Sequence, residues 1–197
     1  MGRSRYHIIL IAAWLSGTLF LVDTRGEARA GELIEALAIH KNGHYDFTII
    51  MLVDAPRDFI YRLLTDYDNL TQLSPNIVSS HLLKSGNDEH SLVEINSYHC
   101  IAWFCRRMHQ IQKVQELGNG ILRTTDVPQK GHVLAANSLW RIHRQGDKTR
   151  IEYQSTLQID FWVPPLLGPM LLKNKFRSSL IDTINRLETM ANPDQAD

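Results

Sequence analysis

The sequence predicts an α+β domain in which a curved antiparallel sheet wraps around one long C-terminal helix. Three observations carry this prediction. Ile151, Tyr153, Ser155, Leu157, Ile159 and Phe161 alternate with Arg150, Glu152, Gln154, Thr156, Gln158 and Asp160, the period of two that marks a half-buried strand. Leu172, Phe176, Leu180, Ile184 and Leu187 recur at nearly every fourth position up to Met190, which is the stripe of an amphipathic helix. Between these features and the first third of the chain, strand-like runs are separated only by short turn-forming clusters. Successive strands therefore pair as antiparallel neighbours.

The elements follow in order. Strands are expected at Glu35 to His40 and Tyr45 to Val53, joined across Asn42-Gly43. Ala55-Pro56 then opens a helix, with proline at the first helical position where a missing N–H costs nothing. Phe59, Leu63 and Tyr67 line one side of it, and a further turn reaches Leu73 before Ser74-Pro75. Six more strands are expected at Ile77 to Lys84, Ser91 to Cys100, Cys105 to Leu117, Ile121 to Val127, Val133 to His143 and Arg150 to Asp160. The breakers are Ser85 to Asp88, Gly118-Asn119-Gly120, Pro128 to Gly131 and Gln145 to Lys148. In the fifth of these strands Leu134, Ala136, Ser138, Trp140 and Ile142 share a face. After Gly168-Pro169 the final helix runs for roughly 30 Å at 1.5 Å per residue.

The first thirty residues read as a secretory signal. Arg3 and Arg5 precede an apolar run from Ile8 to Val22, and Ala28-Arg29-Ala30 supplies a small-x-small cleavage pattern. The run is shorter than the roughly 20 residues that cross a bilayer. The expected organisation is a signal over residues 1–30, one domain over 31–191 and a disordered tail over 192–197, with a periplasmic location. The whole chain carries 21 basic and 21 acidic residues, and the first thirty hold four and two of them, leaving 17 and 19. Such a balance gives no electrostatic pull toward nucleic acid.

Cys100 and Cys105 are the two cysteines of the chain. In an exported protein a close pair is expected to form a disulfide. Five steps along a regular strand cover about 16 Å, far more than the roughly 7 Å that a disulfide spans. A bond therefore requires the chain to reverse at Ile101 to Phe104.

The segments Val53-Asp54-Ala55-Pro56 into Phe59-Ile60-Tyr61, Leu64 to Leu70 (Leu-Thr-Asp-Tyr-Asp-Asn-Leu) and Leu73-Ser74-Pro75-Asn76 resemble the START-like, or SRPBCC, superfamily. Phe161-Trp162-Val163-Pro164-Pro165 is similar to exported members of its coenzyme Q-binding START and polyketide cyclase branch. The resemblance covers Glu35 to Met190 and implies a helix-grip fold with an apolar cavity. The family includes carriers of sterols, phospholipids, quinones and polyketides as well as enzymes, so it does not name a ligand. Asp66-Tyr67-Asp68 reads as a capped helix end rather than a site.

Strand direction adds a second expectation. Antiparallel strands place the loops Ile101 to Phe104, Pro128 to Gly131 and Phe161 to Pro169 at one pole. Ile101, Trp103 and Phe104, together with Phe161, Trp162, Val163, Leu166 and Leu167, make that pole apolar. Two readings stand side by side: the loops cap the core, or the pole is a cavity mouth that touches a membrane. Tryptophan suits the bilayer interface, and the nearby Arg106, Arg107, Lys173, Lys175 and Arg177 suit anionic headgroups.

No GxSxG elbow, HExxH helix or glycine-rich phosphate loop occurs in the sequence, and no catalytic residue, metal site or cofactor is assigned. His99 and His109 are placed to approach each other across a hairpin, with His132 and His143 on a neighbouring strand. The expected ligand is a hydrophobic small molecule. Ser97, Leu134, Ala136, Ser138, Trp140, Tyr153, Ser155, Leu157, Leu172, Phe176 and Leu180 are expected to line its cavity, and Ser97, Ser138, Tyr153 and Ser155 to orient its polar end. A carrier is the leading expectation. A polyketide cyclase or aromatase and a protein-interaction module are the alternatives, and the oligomeric state is not legible.

Overall fold

Eight strands form one antiparallel sheet in the order β1-β2-β8-β7-β6-β5-β4-β3. The computed structural model describes residues 31–41, 43–86, 90–101, 104–128, 133–159 and 169–193. The strands are β1 (Glu32–Lys41), β2 (His44–Val53), β3 (Ile77–Lys84), β4 (Ser91–Ile101), β5 (Phe104–Glu116), β6 (Ile121–Asp126), β7 (Val133–Gln145) and β8 (Lys148–Ile159). Helix α1 (Arg57–Thr65) and a short 3-10 turn (Leu70–Gln72) lie between β2 and β3, and α2 (Pro169–Ala191) ends the fold. Consecutive strands from β3 to β8 pair as hairpins, and β8 then pairs with β2, which joins the two ends of the chain.

Strand parity defines the buried face. On β2, Ile49, Met51 and Val53 point inward, opposite Tyr153, Ile151 and Thr149 of β8. On β7 the even residues Ala136, Ser138, Trp140 and Ile142 share that face. Leu122 of β6 and Val114 of β5 continue it. Helix α2 lays Ile184 and Leu187 on this surface, and both join the same buried cluster as Ile142 and Ile151. The expected curled sheet and terminal helix are thus present, with α2 about 35 Å long for its 23 residues at 1.5 Å each.

One corner holds the helices to the sheet. Thr149 Oγ1 donates to the Ala55 carbonyl at 2.6 Å, and the Asp54 N–H donates to Glu188 Oε1 at 2.7 Å. Asn192 Nδ2 donates to the Asp54 carbonyl at 3.0 Å. Each contact satisfies a backbone group that helix packing removes from water.

Two boundaries differ most from expectation. Pro56 is not the first helical residue but the extended residue before it, at φ −62° and ψ 137°; the proline ring fixes φ but leaves ψ to the corner that Thr149 and Glu188 pin. Phe59, Leu63 and Tyr67 pack against the core as expected, and fully buried Ile60 lies deepest in α1. Strand β1 begins at Glu32, three residues earlier than its sequence suggests, with a register shift between Leu33 and Glu35. That bulge breaks the alternation a strand is read by.

Cys100 and Cys105 are bonded and stand directly opposite each other in the β4–β5 ladder, with Ile101 opposite Phe104. The expected reversal between them is confirmed. At the β7–β8 turn, Gln145 pairs with Lys148 and Gly146 takes φ +63°, a conformation glycine adopts without a side-chain clash.

Candidate ligand site on the concave face

The inward face of the sheet divides into two parts. Nearest α1, the row Met51, Ile151 and Ile142 is wholly apolar and is covered by Ile184 and Leu187. Four residues farther along β8 and β7 the face turns polar. Ser155 pairs with Ser138, and Ser138 with Thr124. Beyond Thr124 on the same side of β6 comes Asp126, which pairs with Gln112 of β5. Gln110 lies two residues from Gln112, so it shares that face.

Hydrogen bonds tie these groups into two clusters. Ser138 Oγ donates to Ser155 Oγ at 3.0 Å and lies 3.1 Å from the Tyr153 hydroxyl. Gln110 Nε2 donates to Asp126 Oδ2 at 2.9 Å. Asp126 Oδ1 is buried with no hydrogen-bond partner. Burial pushes the Asp126 carboxyl above its ordinary pKa, while the Gln110 and Gln112 amides oppose that shift. Apolar side chains surround both clusters: Phe47 faces Ser155, and the Trp140 ring lies 4.3 Å from that of Tyr153.

The expected cavity residues fall on this face where they are described. Ser97, Ala136, Ser138, Trp140, Tyr153, Ser155 and Leu157 all point to the concave side. Leu180 packs against the apolar core. The side chains of Leu134, Leu172 and Phe176 lie outside the described residues, as do those of Lys173 and Lys175. So does the expected mouth: Trp103, Phe161, Trp162, Val163, Leu166 and Leu167 are not described, and of Ile101 and Phe104 only the backbone is.

One expectation is corrected by parity. His99 and His109 do not approach each other. Each β4–β5 pair joins an odd-numbered residue to an even-numbered one, so His99 faces inward and His109 outward. His109 Nε2 instead meets Glu94 Oε1 at 2.8 Å, and His99 Nε2 meets Ser97 Oγ at 3.0 Å. Although part of His99 is exposed, burial of its ring pushes its pKa down. Arg106 and Arg107 point to opposite faces of the sheet. His132 is not described, His143 is exposed, and Arg177 is exposed on α2. Among the described residues no group of three or more histidines, cysteines or acids could hold a metal ion.

Asp66-Tyr67-Asp68 has a structural role. Asp66 caps α1 and accepts from Asn69, and Asp68 Oδ1 accepts the Leu82 N–H at 2.8 Å. Tyr67 and Tyr61 both donate to Glu116, at 2.9 and 2.7 Å. Burial and that carboxylate push the Tyr61 hydroxyl up to about 12. Asp126, Gln110, Gln112 and Thr124 were not anticipated. The alternation Leu122, Thr124, Asp126 was the available signal, since Leu122 is core and fixes which face the other two share.

A depression of about 470 Å³ also lies over the outward residues Asp46, Thr48, Arg123, Asn137 and Gln154, and Phe47, Ser138 and Ser155 contribute to its lining between them. It is open rather than enclosed, so it offers a ligand little burial. The concave face remains the candidate site.

Residues 53–180 match the family model for polyketide cyclase/dehydrase and lipid transport proteins, and the chain belongs to that family. Its architecture is that of the START-like fold. A START superfamily protein from Mycobacterium smegmatis superposes with a TM-score of 0.57 at 20% identity, over 77% of this chain and 99% of that one. The Zhui aromatase/cyclase from Streptomyces sp. R1128 gives 0.57 at 12% identity, over 76% and 94%. A STAR-related lipid transfer protein from Xanthomonas axonopodis gives 0.53 at 18% identity, over 77% and 98%. No curated protein sequence matches the chain.

Proposed function

We propose that the chain is an exported, periplasmic carrier or chaperone of a hydrophobic small molecule, a lipid or quinone-like compound, held between the polar part of the concave face and the first half of α2. The observation that carries this reading is the divided face. A sheet built only to hold its helix needs apolar residues throughout, because inward polar groups weaken burial. Here Ser138, Ser155, Tyr153 and Asp126 face inward beyond the part that Ile184 and Leu187 cover. The family also fits, since its scope includes lipid transport.

Binding rests on burial, at roughly 0.8 kcal/mol for each methylene moved out of water. The apolar pole with Trp103 and Trp162 is proposed as the mouth and as a point of peripheral membrane contact. Native mass spectrometry of the protein from its own host, followed by organic extraction, tests the carrier reading. A copurifying hydrophobic compound at stoichiometric occupancy is expected; a ligand-free protein that takes up no added lipid overturns it. Liposome co-sedimentation tests the mouth, where unchanged binding after Trp103→Ser with Trp162→Ser removes the membrane contact.

A cyclase or aromatase is the second reading. Asp126 favours it, as a partly buried acid on the face that would meet substrate. Turnover of a polyketide-like substrate that is lost in Asp126→Asn would establish it over the carrier.

A further inference from the structure

The two polar clusters restrict what kind of ligand end the concave face suits. Three hydroxyls, those of Tyr153, Ser138 and Ser155, carry three protons, and two hydrogen bonds join them. One donor therefore remains after the internal bonds are made, along with several lone pairs. Asp126 sits two residues beyond Thr124, which pairs with Ser138, so it is a diagonal neighbour of Ser138, the centre of the hydroxyl trio, at roughly 7–8 Å between their Cβ atoms.

Charge on this face is sparse. Among the described residues, the inward ionisable groups besides Asp126 lie toward the margins. Glu116 is held by Tyr61 and Tyr67, Arg144 donates to the Gly146 carbonyl at the turn, and Arg106 faces His99 near the disulfide. Arg106 is six residues along β5 from Gln112, the partner of Asp126, which is about 20 Å of strand. On β5, β6 and β7 no described inward residue beside Asp126 or its strand partners is a cation. An anionic headgroup would have to face the Asp126 carboxylate or force it to take a proton, and either carries a cost that a neutral oxygen avoids.

We propose that the hydroxyl trio and Asp126 together read an uncharged oxygen function, a hydroxyl or carbonyl, at one end of the apolar ligand, and select it over carboxylate and phosphate. This rests on the carrier reading and narrows its substrate class. A fully buried polar end gains only when its hydrogen bonds are met, and here the partners on offer are hydroxyls, amides and one carboxyl group.

The test is calorimetric titration of the unaltered protein at neutral pH with a matched series: decanol, 2-decanone, decanoate, decyl phosphate and decane. Decanol and 2-decanone are expected to bind about tenfold or more tightly than the two anions. Asp126→Asn is expected to shrink that gap, and Ser138→Ala with Ser155→Ala to remove most of the advantage of decanol over decane. Decanoate or decyl phosphate binding as tightly as decanol overturns the proposal while leaving the carrier reading intact. Failure of every compound to bind, decane included, overturns the carrier reading itself.

Discussion

The two parts of the concave face share strands β6, β7 and β8 yet differ in what they offer. Toward α1, Met51, Ile151 and Ile142 meet Ile184 and Leu187, and Ile142, Ile151 and Leu187 are each 1% exposed. A few residues along, the same strands present Ser155, Ser138, Thr124 and Asp126. Stability is concentrated in the first part, because only tight apolar packing returns the entropy cost of ordering the chain, and the proposed selectivity belongs to the second. The largest expected effect tests that division. Ile142→Ala or Leu187→Ala should lower unfolding free energy by about 2–5 kcal/mol, the usual range for a large-to-small core change. Ser138→Ala should change it by less than about 1 kcal/mol while altering ligand affinity. Chemical denaturation of both variants makes the comparison, and equal losses would dissolve it.

The sequence reveals these two parts unequally. Strand β8 is legible because Ile151, Tyr153 and Leu157 alternate with outward Arg150, Glu152, Gln154 and Thr156, with Ser155 the one inward break in the apolar run. The stripe of α2 is legible for the same reason, at period 3.6. Strand β5 is not, because Gln110 and Gln112 point inward while Ile111 and Lys113 point outward. Polarity then gives no direction, and only the register with β4 supplies it. The histidine pairing failed on that same register, since sequence places His99 and His109 on adjacent strands without fixing their faces. Pro56 was misplaced by one residue because its ring is compatible with both positions and a distant contact, Thr149 to Ala55, decides between them.

The disulfide sharpens the comparison from the far end of the sheet. It links directly opposed residues beyond the polar part, away from the apolar cluster. Closing so short a loop is worth about 2 kcal/mol in the chain-entropy account. Cys100→Ser with Cys105→Ser should lower the denaturation midpoint accordingly. Exchange protection should fall at the amides of β4 and β5 near the tip and stay unchanged at Met51 and Ile151, as hydrogen exchange would show.

A smaller effect belongs to the corner that closes the apolar part. Glu188 reaches from α2 to the Asp54 N–H at 2.7 Å, and Glu188→Ala leaves that backbone donor to find water. A loss of about 1–2 kcal/mol is expected, typical of a hydrogen bond to a charged group that is only part-buried. Rescue by Glu188→Gln, which keeps an acceptor oxygen, would assign the loss to the hydrogen bond rather than to the side chain's bulk.

The smallest effect is a pH dependence confined to the polar part. Burial raises the Asp126 pKa in the folded chain above its ordinary value of 3.8. Over the interval between the two values the folded state binds more proton than the unfolded state, so stability falls as pH rises through it. Above the folded value the loss is complete and flat. Asp126→Asn keeps the shape and an oxygen for Gln110 Nε2 but has no proton to lose. Plotted against pH, the stability of the native chain relative to this variant should be highest in acid and decline on passing upward from 3.8. Ile142→Ala should show no such relative slope. A difference that rises with pH would mean the carboxylate is stabilised on folding, and the polar part would then have to be redrawn as a site that favours charge.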